Sequence, residues 1–244
     1  MLPKERILVA LDTNDIGRLN ALAKTLGPHV GGFKIGLEAL FSIGLKPALN
    51  AMRGYGPATD NIFVDAKLHD IPNTMERALR SIVEHPQVKF VNVHASAGVT
   101  GVSVLTTAKG QAKLLAVTVL TSFDDDACKE VYRAAAPVAA KRLAELVGSC
   151  LIDGLVCSPK EVPLFRADPA FDRLVLVTPG VRPKWSTKDD QERVATPGEA
   201  VRAGADYLVI GRPITNPPSE IGSPAAAAKL IAEEIAAATA HPFR

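Results

Sequence analysis

The sequence predicts a single-domain α/β protein, a closed (β/α)8 TIM barrel, on three observations. Eight short apolar runs rich in β-branched residues recur at 7–11, 32–35, 62–65, 90–93, 114–119, 154–157, 174–177 and 207–210. Near-continuous runs of this kind suit parallel strands buried on both faces. Helix-like segments lie between them, among them 21–26, 75–83, 138–147 and 225–237. That alternation implies right-handed crossovers within one parallel sheet. The 244 residues also match the roughly 250 that a barrel of this type needs. Eight runs in this length favour closure over an open doubly wound sheet. No linker divides the chain, so residues 1–244 are expected to form one domain. The Pro/Gly/Ser-rich stretch 212–224 is expected to be the loop between the eighth strand and the last helix.

Composition narrows the function. Hydrophobic residues make up 47% and charged residues 22%, enough for a large core and too apolar for a disordered chain. The net charge of +2, from 28 basic and 26 acidic residues, lacks the basic excess of a nucleic-acid binder. It leaves room for a few cations gathered in one anion pocket. Cys128, Cys150 and Cys157 show no CxxC spacing and read as reduced, buried thiols. The opening MLPKERILVALD is too short and too closely flanked by charge for a secretory or membrane segment. A cytoplasmic, soluble protein without membrane or nucleic-acid partners is expected. No His/Cys/carboxylate spacing suggests zinc, and no GxGxxG or Walker pattern suggests a dinucleotide or triphosphate.

Polar residues cluster at or just past the carboxyl ends of the apolar runs. They are Asp12, Lys34, Asp65 with Lys67, His94, Thr121 with Ser122, Arg182, and Gly211 with Arg212. Barrel active sites form at that end because the βα loops converge there. The sharpest segment is 65–74, DAKLHDIPNT. Asp65 and Lys67, two apart at a strand end, project from one face as an acid–base pair. Asp70 precedes Ile71 and Pro72, and proline is at home in a first helical turn. A structural salt bridge with a helix-terminal Asp70 therefore competes with a catalytic array. Lys34 reads either as a snorkelling surface lysine or as a site residue, and Asp12 either as a cap or as a ligand contact. His94 reads as a packed, hydrogen-bonded histidine. The loops after the seventh and eighth runs, with Gly180, Arg182, Gly211 and Arg212, have the glycines and guanidinium groups that suit a phosphate. Arg182 in an external ion pair is the alternative there.

DAKLHDIPNT resembles the DxKxxDIPNT signature of the orotidine 5′-phosphate decarboxylase family. Six further segments resemble the family in the same order: VALD with Asp12, GFKIG with Lys34, VTVLTS with Thr121, TPGVR with Arg182, DDQERV with Gln191, and IGRPI with Gly211 and Arg212. The resemblance implies decarboxylation of orotidine 5′-monophosphate to uridine 5′-monophosphate, the last step of de novo UMP biosynthesis, without metal or cofactor. It implies an alternating Lys34–Asp65–Lys67–Asp70 array in which Lys67 protonates C6 of the pyrimidine. It also implies a homodimer in which Asp70 and Thr74 reach the neighbouring subunit's site, with Ile71 among the substrate contacts. Asp12 would bind a ribose hydroxyl, and Thr121 with Ser122 the pyrimidine edge. Arg182, Gly211 and Arg212 would hold the phosphate, Gln191 would bridge phosphate and pyrimidine, and residues 182–196 would form a lid. Two alternatives remain. A Mg2+-dependent sugar-phosphate decarboxylase, such as a 3-keto-gulonate-6-phosphate decarboxylase, is disfavoured by IPNT, TPGVR and the DDQ segment. A non-catalytic nucleotide-binding or scaffold protein is disfavoured by the intact Lys34, Asp65, Lys67 and Asp70.

Overall fold

A computed structural model of the chain describes residues 1–186 and 194–240. Eight parallel strands form a closed barrel: β1 (Ile7–Ala10), β2 (Gly32–Ile35), β3 (Ile62–Leu68), β4 (Val88–His94), β5 (Lys113–Val117), β6 (Gly154–Val156), β7 (Val175–Thr178) and β8 (Tyr207–Ile210). Each pairs with its neighbour in sequence, and β8 closes on β1 with Leu8 opposite Val209. The helices are α1 (Ile16–Leu26), α2 (Leu37–Ser42), α3 (Leu45–Met52), α4 (Pro72–Val83), α5 (Gly98–Ala108), α6 (Asp125–Tyr132), α7 (Ala136–Val147), α8 (Val162–Arg166), α9 (Pro197–Arg202), α10 (Arg212–Thr215) and α11 (Pro224–Ala240).

Strand residues point alternately inward and outward, and this produces two cores. The barrel interior holds Leu8, Phe63, Phe90, Leu115, Val177 and Val209. Phe90 packs edge-on against Phe63 and Tyr207, with ring centroids 6.2 and 5.2 Å away. The second core lies between strands and helices, where Val9, Val64 and Val91 meet helix residues such as Leu19, Leu79 and Ile231. Each fully buried side chain of this size contributes about 1.5–3 kcal/mol. In α1 the buried Leu19, Leu22, Ala23 and Leu26 form one helical stripe. That helix begins at Ile16, earlier than its apolar periodicity suggests, because Asp15 caps it by accepting the Gly17 N–H.

Two boundaries differ instructively from the sequence expectation. β3 runs on to Leu68 rather than ending at Asp65, since Leu68 pairs with Val93 after an irregular stretch. A charged strand end gives no local sign of that long-range pairing. Residues 212–224 are not all loop, because α10 occupies Arg212–Thr215. Proline near its start and two buried side chains, Pro213 and Ile214, hold that turn against the barrel.

Candidate active site

The interior of the barrel changes character from bottom to top. Following the inward positions of β3 gives Phe63 and then Asp65. Following β4 gives Phe90, Asn92 and His94. The apolar layer is thus capped by a polar one at the carboxyl end, and above it opens a cavity of about 630 Å³. That volume suits a small-molecule ligand. Asp12, Lys34, Asp65, Lys67, Thr121, Ser122, Arg182, Gly211 and Arg212 all line it, contributed by six of the eight strands or the loops after them.

Four of these side chains form a continuous chain of alternating charge. Asp12 Oδ1 lies 2.9 Å from Lys34 Nζ, Lys34 Nζ lies 3.2 Å from Asp65 Oδ2, and Asp65 Oδ1 lies 2.7 Å from Lys67 Nζ. Lys34 and Asp65 are buried, at 7% and 8% exposure, whereas the Lys67 side chain is 31% exposed toward the cavity. Burial alone would raise the Asp65 carboxyl. The Lys34 and Lys67 ammonium groups, with hydrogen bonds from Lys67 and Asn92, outweigh burial and hold it at about 2. Burial likewise works to lower Lys34, and the charges of Asp65 and Asp12 overcome it and raise that lysine. The snorkelling account of Lys34 is therefore set aside. Gly36 makes room for this pair, because a Cβ there would lie 2.7 Å from Lys34 Nζ and 2.8 Å from Asp12 Oδ1.

The backbone at Lys67 is strained. Its φ of 48° is left-handed, which costs a non-glycine residue about 1 kcal/mol or more. A bulge accompanies it. Val64 pairs with Val91 and Leu68 with Val93, so Asp65, Ala66 and Lys67 together face only Asn92. The Asn92 side chain fills the gap, being fully buried. It accepts the Lys67 backbone N–H at 2.8 Å and donates to Asp65 Oδ1 at 2.7 Å. Sequence reasoning did not single out Asn92. Its signal was present in FVNVH, where the inward register of Phe90 and His94 also carries Asn92 into the interior.

On the opposite side of the mouth, Gly180 (φ 76°) and Arg182 follow β7, and Gly211 and Arg212 follow β8. Arg182 is 9% exposed, and its loop is tied down by pairing of Val181 with Ala195. Thr121, also 9% exposed, sits in the loop after β5 with Ser122. Glu38, Cys157 and Thr215 line the cavity as well, unanticipated from sequence. All three cysteines are buried.

Asp70, Ile71 and Thr74 stand apart from this cavity. Asp70 is exposed and bonds the Ile71 N–H at 2.6 Å; Ile71 is 65% exposed and precedes α4, whose first turn contains Thr74. Within one chain the array therefore comprises Asp12, Lys34, Asp65 and Lys67, without Asp70. Gln191 and part of the expected lid, residues 187–193, lie outside the described residues. His94 is half-buried against His69, ring centroids 5.5 Å apart. Burial, His69 and Lys67 all lower its proton affinity, against a weaker pull from Asp65. Among the described residues, no group of three His, Cys, Asp or Glu side chains is placed to hold a metal, and no helix is long and apolar enough to cross a membrane.

The chain has counterparts among known proteins. Residues 5–231 match the model of the orotidine 5′-phosphate decarboxylase / HUMPS family. The chain belongs to that family. It is 42% identical over 243 residues to the orotidine 5′-phosphate decarboxylase of Geobacter metallireducens, covering 96% of this chain and 97% of the relative. It is 45% identical over 234 residues to that of Anaeromyxobacter dehalogenans, covering 95% and 99%. The crystal structure of orotidine 5′-phosphate decarboxylase from Lactobacillus acidophilus superposes with a TM-score of 0.77 at 30% identity, covering 94% of this chain and 98% of that one. The family's barrel is the architecture described above.

Proposed function

We propose that this chain decarboxylates orotidine 5′-monophosphate to uridine 5′-monophosphate, with Lys67 as the proton donor. The supporting observation is the Asp12–Lys34–Asp65–Lys67 chain of contacts, ending in a partly exposed ammonium at the floor of a nucleotide-sized cavity. In this reading the phosphate sits between the loops after β7 and β8, held by Arg182 and Arg212 and by the amides near Gly180 and Gly211. The ribose hydroxyls meet Asp12 and Lys34, and Thr121 with Ser122 meets the pyrimidine. C6 then faces Lys67.

The chemistry follows from charge. Breaking the C6–carboxylate bond releases CO2 and leaves the electron pair on C6, where resonance gives little relief. An ammonium fixed 2.7 Å from Asp65 need not reorganise as that charge develops, which is the condition for electrostatic stabilisation. Its N–H bond then breaks, the proton passes to C6, and Lys67 recovers a proton from solvent. Asp65 stays ionised throughout and orients the lysine. Asp70 and Thr74, which do not line this cavity, serve the site of a second copy in a symmetric dimer.

The test is the loss of orotidine 5′-monophosphate absorbance with purified protein, with and without chelator, beside a folded Lys67→Ala variant. The expected result is chelator-resistant turnover that falls by at least about 10⁴-fold in Lys67→Ala, since both counter-charge and proton source are removed. Near-normal turnover of the variant overturns the role of Lys67. Activity lost to chelator and restored by Mg2+ turns the reading toward a sugar-phosphate decarboxylase.

A further inference from the structure

The bulge in β3 leaves a problem that secondary structure does not solve. A bulge disrupts the local ladder and strands backbone groups that the regular pairing would have satisfied. Here three residues of β3 oppose one of β4, and the last of the three is the lysine that faces the cavity. A buried N–H without a partner is costly, and a left-handed lysine has every reason to relax. One side chain answers both difficulties. Asn92 presents a carbonyl to the Lys67 N–H at 2.8 Å and an amide to Asp65 Oδ1 at 2.7 Å, the same oxygen that receives Lys67 Nζ at 2.7 Å.

We infer that Asn92 is a positioning residue for the reaction: it locks the Lys67 backbone into its left-handed conformation and aims the Asp65 carboxylate at the Lys67 ammonium. This rests on the reading of Lys67 as the proton donor. The specificity lies in the polarity of the amide. The position needs an acceptor on one side and a donor on the other, 0% exposed, within a side chain short enough to fit opposite the bulge. Aspartate matches the shape but not the polarity. Ionised, it has no donor and sets a second negative charge against Asp65. Protonated, it regains both functions, a carbonyl toward Lys67 and an O–H toward Asp65. Two carboxyls in contact share one proton, which raises the affinity of the pair for it.

The experiment therefore compares Asn92→Asp, Asn92→Leu and Lys67→Ala with the unaltered enzyme, with folding checked by circular dichroism. In Asn92→Leu, kcat should fall by about 10²-fold, the scale of a 1 Å misplacement of a reacting group, while KM changes little because the phosphate loops are untouched. In Asn92→Asp, activity relative to the unaltered enzyme at the same pH should be lowest near neutrality and recover as pH falls. A parallel pH profile for Asn92→Asp, or an unchanged kcat for Asn92→Leu, overturns the role of Asn92 while a dead Lys67→Ala keeps the proton-donor reading. A fully active Lys67→Ala overturns that reading itself, and this inference with it. Should the Asn92 variants not fold, hydrogen exchange at the Lys67 amide of the unaltered protein decides: strong protection supports the bond to Asn92, and exchange at the rate of an open loop removes its basis.

Discussion

Replacing Asp65 with asparagine should make the protein less stable at neutral pH and indifferent to the acid range where the unaltered chain weakens. The carboxyl is held at about 2, against an ordinary 3.8, because Lys34 and Lys67 more than offset its burial. A lowered folded-state value means that the unfolded chain binds the proton more readily, so the stabilisation is fully present above 3.8 and is lost as pH falls toward about 2. At about 1.4 kcal/mol per pH unit, that difference amounts to about 2 kcal/mol. A protonated aspartate is nearly isosteric with asparagine, so the two proteins should converge in acid. Equilibrium urea unfolding from pH 7 down to the onset of acid denaturation is the assay. Asp65→Asn should cost about 2 kcal/mol at pH 7, and the gap should narrow below 3.8. A gap that stays constant as the pH drops would show that Asp65 is not held low by its lysines, and the charge chain would lose its energetic basis.

Two further outcomes address ligand and assembly. On the proposed phosphate site, Arg212→Ala would remove a charge-assisted contact worth about 1.5–3 kcal/mol, so KM for the nucleotide should rise by roughly one to two orders of magnitude, while turnover of the phosphate-free nucleoside should barely change; equal losses on both substrates would place the phosphate elsewhere. Folded Asp70→Ala and Lys67→Ala proteins, each nearly inactive, should regain activity when their subunits are exchanged, up to about half the sites of each heterodimer by two-fold symmetry. Verified heterodimers as inactive as the parents would confine Asp70 to its own subunit.

Much of this protein is legible along the chain. Eight apolar runs and their intervening helices specify the barrel, because burial on both faces leaves a pattern that any stretch of sequence displays locally. DAKLHDIPNT and six companion segments resemble the family's, and the family's model matches residues 5–231. Asp12, Lys34, Asp65, Lys67, Thr121, Arg182, Gly211 and Arg212 do line one cavity. What the tertiary structure alone decided is the connection among them. The 3.2 Å contact of Lys34 with Asp65 depends on the register of β2 against β3, where Lys34 lies opposite Phe63. The bulge at Asp65–Lys67 depends on Leu68 pairing with Val93, and the place of Asn92 depends on that bulge. Each is a relation between residues far apart in sequence, set by how strands align when the barrel closes, and a one-dimensional pattern of residue types carries no record of alignment.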